Sequence, residues 1–179
     1  METNILYTHK DLVEKSKSGD RNSQYRLYEL YVDAMYNVSM RMLSIKEDAE
    51  DVVQDSFVEA FKNLKSFRYE STFGSWLKRI VINKSLNHLK LKKIPVTPLD
   101  QHEYHISEEI IDPVKPKDIN KIKKGIKILP DGYRQILSLY LIEGYDHIEI
   151  AEILGITIST SKSQYHRAKK KLIEIVNTL

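Results

Sequence analysis

The 179-residue chain has no cysteine. That excludes disulfide frameworks, thiol nucleophiles and cysteine zinc sites, and it fits a reducing compartment such as the cytoplasm. Its 6 glycines form neither a Gly-rich phosphate loop nor a Gly-Xaa-Ser-Xaa-Gly nucleophile turn. No stretch approaches the ~20 apolar residues that span a bilayer. Residues 1–10 lack a basic start followed by an apolar run, so no secretory signal is expected. His102 and His105, with Glu103 and Glu108 beside them, do not have the spacing of a metalloprotease helix. An enzyme is therefore the weaker reading, and no cofactor, metal or small-molecule substrate is expected.

Charge is segregated along the chain. Residues 1–44 balance, with six basic and six acidic residues. Residues 45–60 carry one basic and six acidic residues, and 61–93 carry nine basic and one acidic. Residues 94–116 turn acidic again, one against five, and 117–179 are basic, eleven against seven. Two basic blocks separated by an acidic one point to more than one partner surface, with polyanion contacts in two places.

Period-2 alternation is rare and 3.6-residue periodicity recurs, which predicts an all-α fold. Asp20 can cap a helix over 21–44, with Tyr25, Tyr28, Tyr31, Val32, Met35 and Val38 as its apolar side. A second amphipathic helix is predicted over 48–64 and a third over 72–92. Pro95, Pro98, Pro113 and Pro116 mark 94–116 as a flexible acidic linker. Beyond it, Pro130 can start a helix that Gly144 ends. A short helix over 147–154 follows, then a turn at Gly155 and a last helix over 158–177 with Thr157 as its cap. The architecture expected is two small helical domains, 1–93 and 117–179, joined by the 94–116 linker. A short helix, a Gly-centred turn and a longer basic helix make the C-terminal one a helix-turn-helix.

Three constellations carry chemistry. In the last helix Ser161, Tyr165, Ala168, Leu172 and Ile175 should face inward, which turns Lys162, Ser163, His166, Arg167 and Lys170 outward, towards a DNA major groove. In the second helix Asp48, Asp51, Asp55 and Glu59 form one polar stripe. Like charges at that spacing cost a few tenths of a kcal/mol per pair. Helix-terminus electrostatics relieves this only for Asp48 and Asp51, so a basic protein partner is the reading for the rest. In the third helix Phe73, Trp76, Leu77, Ile80 and Val81 form an apolar stripe and Arg79, Asn83, Asn87 and Lys90 a polar one suited to base edges and phosphates. Tyr69, Phe73 and Trp76 are candidates for stacking on unpaired bases, with Trp76 read as a core residue instead.

These residues together resemble a bacterial extracytoplasmic-function (ECF) sigma factor, the small two-domain class of RNA polymerase specificity subunits. The likeness rests on two stretches, DAEDVVQDSFVEAFKNLKSFRYESTFGSWLKRIVIN and LPDGYRQILSLYLIEGYDHIEIAEILGITISTSKSQYHRAKKKL. The resemblance implies docking on core RNA polymerase, at the β′ clamp helices and the β flap. Asp48, Asp51, Gln54, Asp55 and Glu59 would supply the β′ contacts. It implies that Arg68, Tyr69, Ser71, Phe73, Arg79, Asn83, Asn87 and Lys90 read and open the −10 element, with one base flipped into a pocket at the loop. Flipping costs a few kcal/mol, offset by stacking and pocket contacts. It implies −35 recognition by Ser159, Thr160, Lys162, Ser163, His166, Arg167 and Lys170. Promoter DNA and an anti-sigma factor are the other implied partners. Two positions depart from the family: relatives usually carry a hydrophobic residue at Ser161 and a basic one at Gln164, which should weaken packing and phosphate contact in the −35 helix. A one-component transcription regulator is the alternative, and it requires a ligand pocket within residues 20–90 and tight promoter binding without polymerase.

Overall fold

The computed structural model describes residues 8–92 and 119–179, and every regular element among them is helical. The 94–116 linker, with its histidines and prolines, lies outside the described residues. The chain divides into two compact units after Lys92.

Among the described residues the N-terminal unit contains four helices: α1, Lys10–Lys17; α2, Arg21–Leu43; α3, Lys46–Asn63, followed by a 3-10 turn, Leu64–Ser66; and α4, Phe73–Lys92. Asp20 caps α2 as anticipated, its carboxylate accepting from the Ser23 amide at 3.0 Å. α3 starts two residues earlier than the sequence pattern placed it. α2, α3 and α4 pack on one another around Leu27, Met42, Leu43, Val53, Leu64, Phe73, Leu77 and Ile82, all nearly or fully buried. Of the apolar side expected for α2, Met35 and Val38 are buried and Tyr28, Tyr31 and Val32 half-buried, while Tyr25 is 60% exposed; Leu27, Met42 and Leu43 complete the buried face. A Tyr ring can rest its body on a core and keep its hydroxyl wet, so tyrosines at the right period need not mark the buried face.

α1 was not anticipated. It has only Leu12 and Val13 as apolar residues, yet Val13 is fully buried against the unit. His9 precedes it, its Nδ1 3.0 Å from the Tyr31 hydroxyl of α2.

The C-terminal unit contains α5, Ile119–Ile128; α6, Asp131–Leu137, running on as a π-helical turn, Ser138–Ile142; α7, His147–Leu154; and α8, Ile158–Thr178. The π-turn shows in the Glu143 amide donating to the Ser138 carbonyl at 3.0 Å, five residues back. α5 lies so close to α8 at Gly125 that a Cβ there would stand 2.9 Å from the side chains of Leu172 and Val176. Asp146 opens α7 with a reciprocal capping box to Glu149. Gly155 closes it in the left-handed conformation, φ 67°, which an L side chain adopts only at a cost. Thr157 then caps α8 through the Thr160 amide, at 3.0 Å. The short helix, tight turn and long helix of the sequence reading are all present.

Candidate nucleic-acid and partner interfaces

The acidic stripe of α3 divides into two classes. Asp48 is buried. Lys92, at the end of α4, donates to both its carboxylate oxygens, at 2.7 and 2.5 Å. His88 Nε2 stands 3.3 Å from Oδ2 without good hydrogen-bond geometry, so it is a close electrostatic contact. The Lys92 bonds hold the Asp48 carboxyl below the usual carboxylate range, with His88 adding to the effect against the opposing pull of burial. Asp48 therefore does not belong with the outward-facing contacts: its side chain is committed within its own unit. Glu59 is likewise paired, with Lys84 of α4 at 2.9 Å.

Asp51, Gln54 and Asp55 differ. All three are exposed, and none of their side chains has an ion pair or hydrogen bond among the described residues. Gln54 also borders an apolar groove of about 430 Å³ between α2 and α3, where Tyr25, Tyr28, Phe57, Val58 and Phe61 come together. Unpaired carboxylates beside an open apolar groove form a surface that can seat a basic, amphipathic partner helix.

Next to α3, the loop between the 3-10 turn and α4 holds a second cavity, of about 290 Å³. It is lined by Ser66, Phe67, Arg68, Glu70, Ser71 and Trp76. Here the two aromatic residues of early α4 exchange their anticipated roles. Phe73 is 1% exposed and packs against the rings of Tyr31, Phe67 and Trp76, so it offers no face to a base. Trp76 is only half-buried and forms a cavity wall, 5.2 Å from the Phe67 ring. The reason is helical phase: Phe73, Leu77, Val81 and Ser85, four apart, define the buried line, which leaves position 76 at its margin. Thr72 caps α4, its hydroxyl 3.1 Å from the Ser75 amide.

Of the other −10 candidates, Asn83, Asn87 and Lys90 are exposed on α4, Arg68 is exposed in the loop, and Ser71 and Arg79 are half-buried. From Arg79 to Lys90 the row spans about 16 Å at 1.5 Å per residue. Tyr69 is half-buried and held by α1, its hydroxyl donating to Glu14 Oε1 at 2.7 Å.

In the C-terminal unit, Ser159, Lys162 and Lys170 are exposed on α8, and Thr160, Ser163, His166 and Arg167 are half-buried. Two of these hydroxyls already serve the helix. Thr160 Oγ1 is 2.8 Å from Thr157 Oγ1, and Ser163 donates to the Thr160 carbonyl at 3.1 Å. Ser161 is completely buried, as its phase demands, and its hydroxyl lies 2.8 Å from His147 Nδ1. The expected loss of packing at Ser161 is thus answered by a hydrogen bond between the first residue of α7 and the first turn of α8. Tyr140, on the π-turn, stacks on His147 at 4.6 Å and approaches Tyr165 at 4.5 Å. Burial, with the nearby Lys162 charge adding to it, pushes the His147 imidazole below its ordinary pKa, against a smaller upward pull from Asp146.

Two family models match in chain order: sigma-70 region 2 over residues 27–93 and sigma-70 region 4 over residues 119–172. The chain is 32% identical over 176 residues to the ECF RNA polymerase sigma factor SigW of Bacillus subtilis, covering 91% of this chain and 94% of that protein. The chain belongs to the ECF RNA polymerase sigma factors. This sigma factor is also 29% identical over 177 residues to the ECF sigma-E factor of Haemophilus influenzae, covering 92% and 93% of the two chains. Its fold is similar to that of the sigma factor RpoE from Bartonella quintana, solved with the anti-sigma factor NepR. The TM-score is 0.58 at 23% identity, over 86% of this chain and 96% of that one. CnrH, solved with the cytosolic domain of CnrY, gives 0.56 at 22% identity, over 93% and 96%. Sequence reasoning missed Ser66, Phe67 and Glu70 of the loop cavity, as well as Glu14 and Lys17 behind it. No periodic signal marks a loop wall, and α1 is too short to show one.

Proposed function

We propose that the exposed face of α3 docks this sigma factor on core RNA polymerase, that the loop cavity with α4 reads and opens the −10 element, and that α8 reads the −35 element. As an ECF sigma factor the protein binds core polymerase, directs it to specific promoters and helps to open the −10 region. What is inferred is the division of labour among its residues.

The observation that carries the reading is the split of the α3 carboxylates. Asp48 and Glu59 have partners inside the unit, while Asp51 and Asp55 are exposed beside Gln54 and an apolar groove. With α3 starting at Lys46, Asp51 stands beyond the first turn, where the relief from the helix terminus fades; two like charges four residues apart are then unfavourable in the isolated protein, so a cationic partner is the natural complement. We assign that partner to the β′ clamp helices, and the β flap to the C-terminal unit. The cavity at 66–71, with Trp76 as one wall, would receive an unpaired base. Arg68, Asn83, Asn87 and Lys90 would track the strand around it. On α8, Lys162, His166, Arg167 and Lys170 would enter the major groove, with Ser159 towards the phosphates at the helix start. An anti-sigma factor belongs to the proposal as a further partner, as NepR is for the Bartonella protein. So does a cytoplasmic location, where promoter DNA is. In this reading the catalysis of RNA synthesis stays with the polymerase.

The test is reversal of Asp51 and Asp55 to Lys in the full-length protein. Core polymerase should no longer co-purify, while the far-ultraviolet circular dichroism and melting of the free protein stay at wild type. Undiminished co-purification would remove α3 from the docking surface.

A further inference from the structure

α1 lies outside the segment matched by the region 2 model, which begins at residue 27, yet it touches the −10 loop at its most unusual residue. Tyr69 has φ 60°, a left-handed conformation that a bulky L residue adopts only at a cost. Such a residue persists only where its surroundings hold it. Here the surroundings are α1. The Tyr69 hydroxyl donates to Glu14 Oε1 at 2.7 Å, and the Lys17 ammonium donates to the same oxygen at 2.9 Å. Lys17 also donates to the Phe67 carbonyl at 3.0 Å and sits 4.7 Å from the centre of the Tyr69 ring. The Tyr69 bond, with Lys17 second, holds the Glu14 carboxyl below the usual carboxylate range, so it is ionised at neutral pH. α1 is itself fixed to the unit by buried Val13 and by the contact of His9 with Tyr31.

The consequence for the loop is directional. Residues on both sides of Tyr69 line the cavity, but Tyr69 does not. The left-handed residue turns its ring to α1 and leaves its neighbours to form the wall. We propose that Glu14 and Lys17 are positioning residues for promoter opening: they use Tyr69 as a strut that preforms the cavity receiving the unpaired base. This rests on the function proposed above for that cavity. It also assigns Tyr69 a role other than stacking on DNA.

The closing experiment uses full-length protein and two readouts. Trp76 is the only tryptophan in the chain and a wall of the cavity, so quenching of its fluorescence by acrylamide reports the loop in the free protein. Opening is read by permanganate reactivity at −10, on a promoter that the wild-type holoenzyme selects from a fragment library. Glu14→Leu, which removes both acceptor oxygens, and Tyr69→Phe should each raise Trp76 quenching and lower opening, Tyr69→Phe about three- to tenfold, the worth of one hydrogen bond, and Glu14→Leu at least as much. Co-purification with core should not change. Adding Tyr69→Phe to Glu14→Leu should lower opening no further, because the hydroxyl has then already lost its acceptor. Lys17→Gln should behave like them and Lys17→Arg should restore function. Lys15→Gln, which removes only an exposed pair with Asp11, should match wild type. Tyr69→Phe keeps the ring, so wild-type quenching and wild-type opening by that variant would overturn the strut and return Tyr69 to direct stacking. The same pair of results for Glu14→Leu would overturn it equally. Failure of the function proposed for the cavity looks different: Trp76 quenching would rise in the variants while their opening stayed at the wild-type level.

Discussion

Replacing Asp48 by Asn separates the internal carboxylate of α3 from the external ones. The substitution keeps the volume and one acceptor oxygen but removes the charge. In the native unit that charge receives two bonds from Lys92, at 2.7 and 2.5 Å, and stands 3.3 Å from His88. A hydrogen bond to a charged group contributes about 1.5–3 kcal/mol and a neutral one about 0.5–1.5. The difference must be discounted, because the Lys92 side chain is 52% exposed and exposed pairs contribute at most about 1 kcal/mol. Asp48 also lies in the first turn of α3, whose cap residue Ile45 supplies no side-chain acceptor. An acid in that place is worth about 0.3–1 kcal/mol. The net loss is about 1–2 kcal/mol. At roughly 4–8 °C per kcal/mol for a domain of this size, the melting transition of the N-terminal unit should fall by about 5–15 °C.

The pH dependence has a definite sign. The folded pKa of Asp48 lies below its ordinary value, which is about 3.9. Its stabilisation is therefore complete above that value and lost as the pH falls through the lower, folded one. Wild type and Asp48→Asn should differ at neutral pH and converge in strong acid. Thermal melts by circular dichroism across that range, with core co-purification below the melting temperature, make the test. Asp51→Asn serves as the mirror image, melting like wild type and binding core less well. A normal melt for Asp48→Asn accompanied by loss of core binding would refute the internal assignment and restore Asp48 to the docking face.

Other consequences are as direct. Arg167→Ala should weaken −35 recognition by about 1–3 kcal/mol if the side chain contacts a base edge; holoenzyme affinity across a panel of −35 variants checks this, and an equal loss on every sequence would demote Arg167 to a phosphate contact. Asn83→Ala should impair opening more than closed-complex formation, read by permanganate against gel-shift assays; equal loss in both would place Asn83 in initial binding. His147 should titrate below the ordinary histidine value in a proton NMR pH series. Because the unfolded chain then binds the proton more readily, stability should rise as pH increases from the folded pKa towards about 6.5 and level off above it. Ser161→Ala, which leaves His147 Nδ1 without its partner, should lower the melting temperature of the C-terminal unit; an unchanged melt would show that the bond contributes nothing.

What could be read from the sequence follows the range of the interaction involved. Helix caps are local, so Asp20, Thr157 and Gly155 were legible, each acting within a few residues of itself. The π-turn at Ser138–Ile142 was not. In an apolar run such as LSLYLI, α and π registers present the same residue types and differ only in which neighbour each contacts. α1 failed for a related reason: eight residues with two apolar positions give too little periodicity, and the buried Val13 is known only from what covers it.

The site shows the same division more sharply. All four acids of the α3 stripe share one helical phase, so local sequence treats them alike. Asp48 is set apart by Lys92, 44 residues further on, and Glu59 by Lys84, 25 further on. Phase along α4 fixes both partners: Lys84, His88 and Lys92 recur every four residues on the flank of α4 that meets α3. The unit thus neutralises the acids that α4 can reach and leaves Asp51 and Asp55, with Gln54, for a partner. The same packing that builds the core selects which charges remain outside it. Exchanging Lys84 and Lys92 for Gln should therefore destabilise the unit without reducing its grip on polymerase.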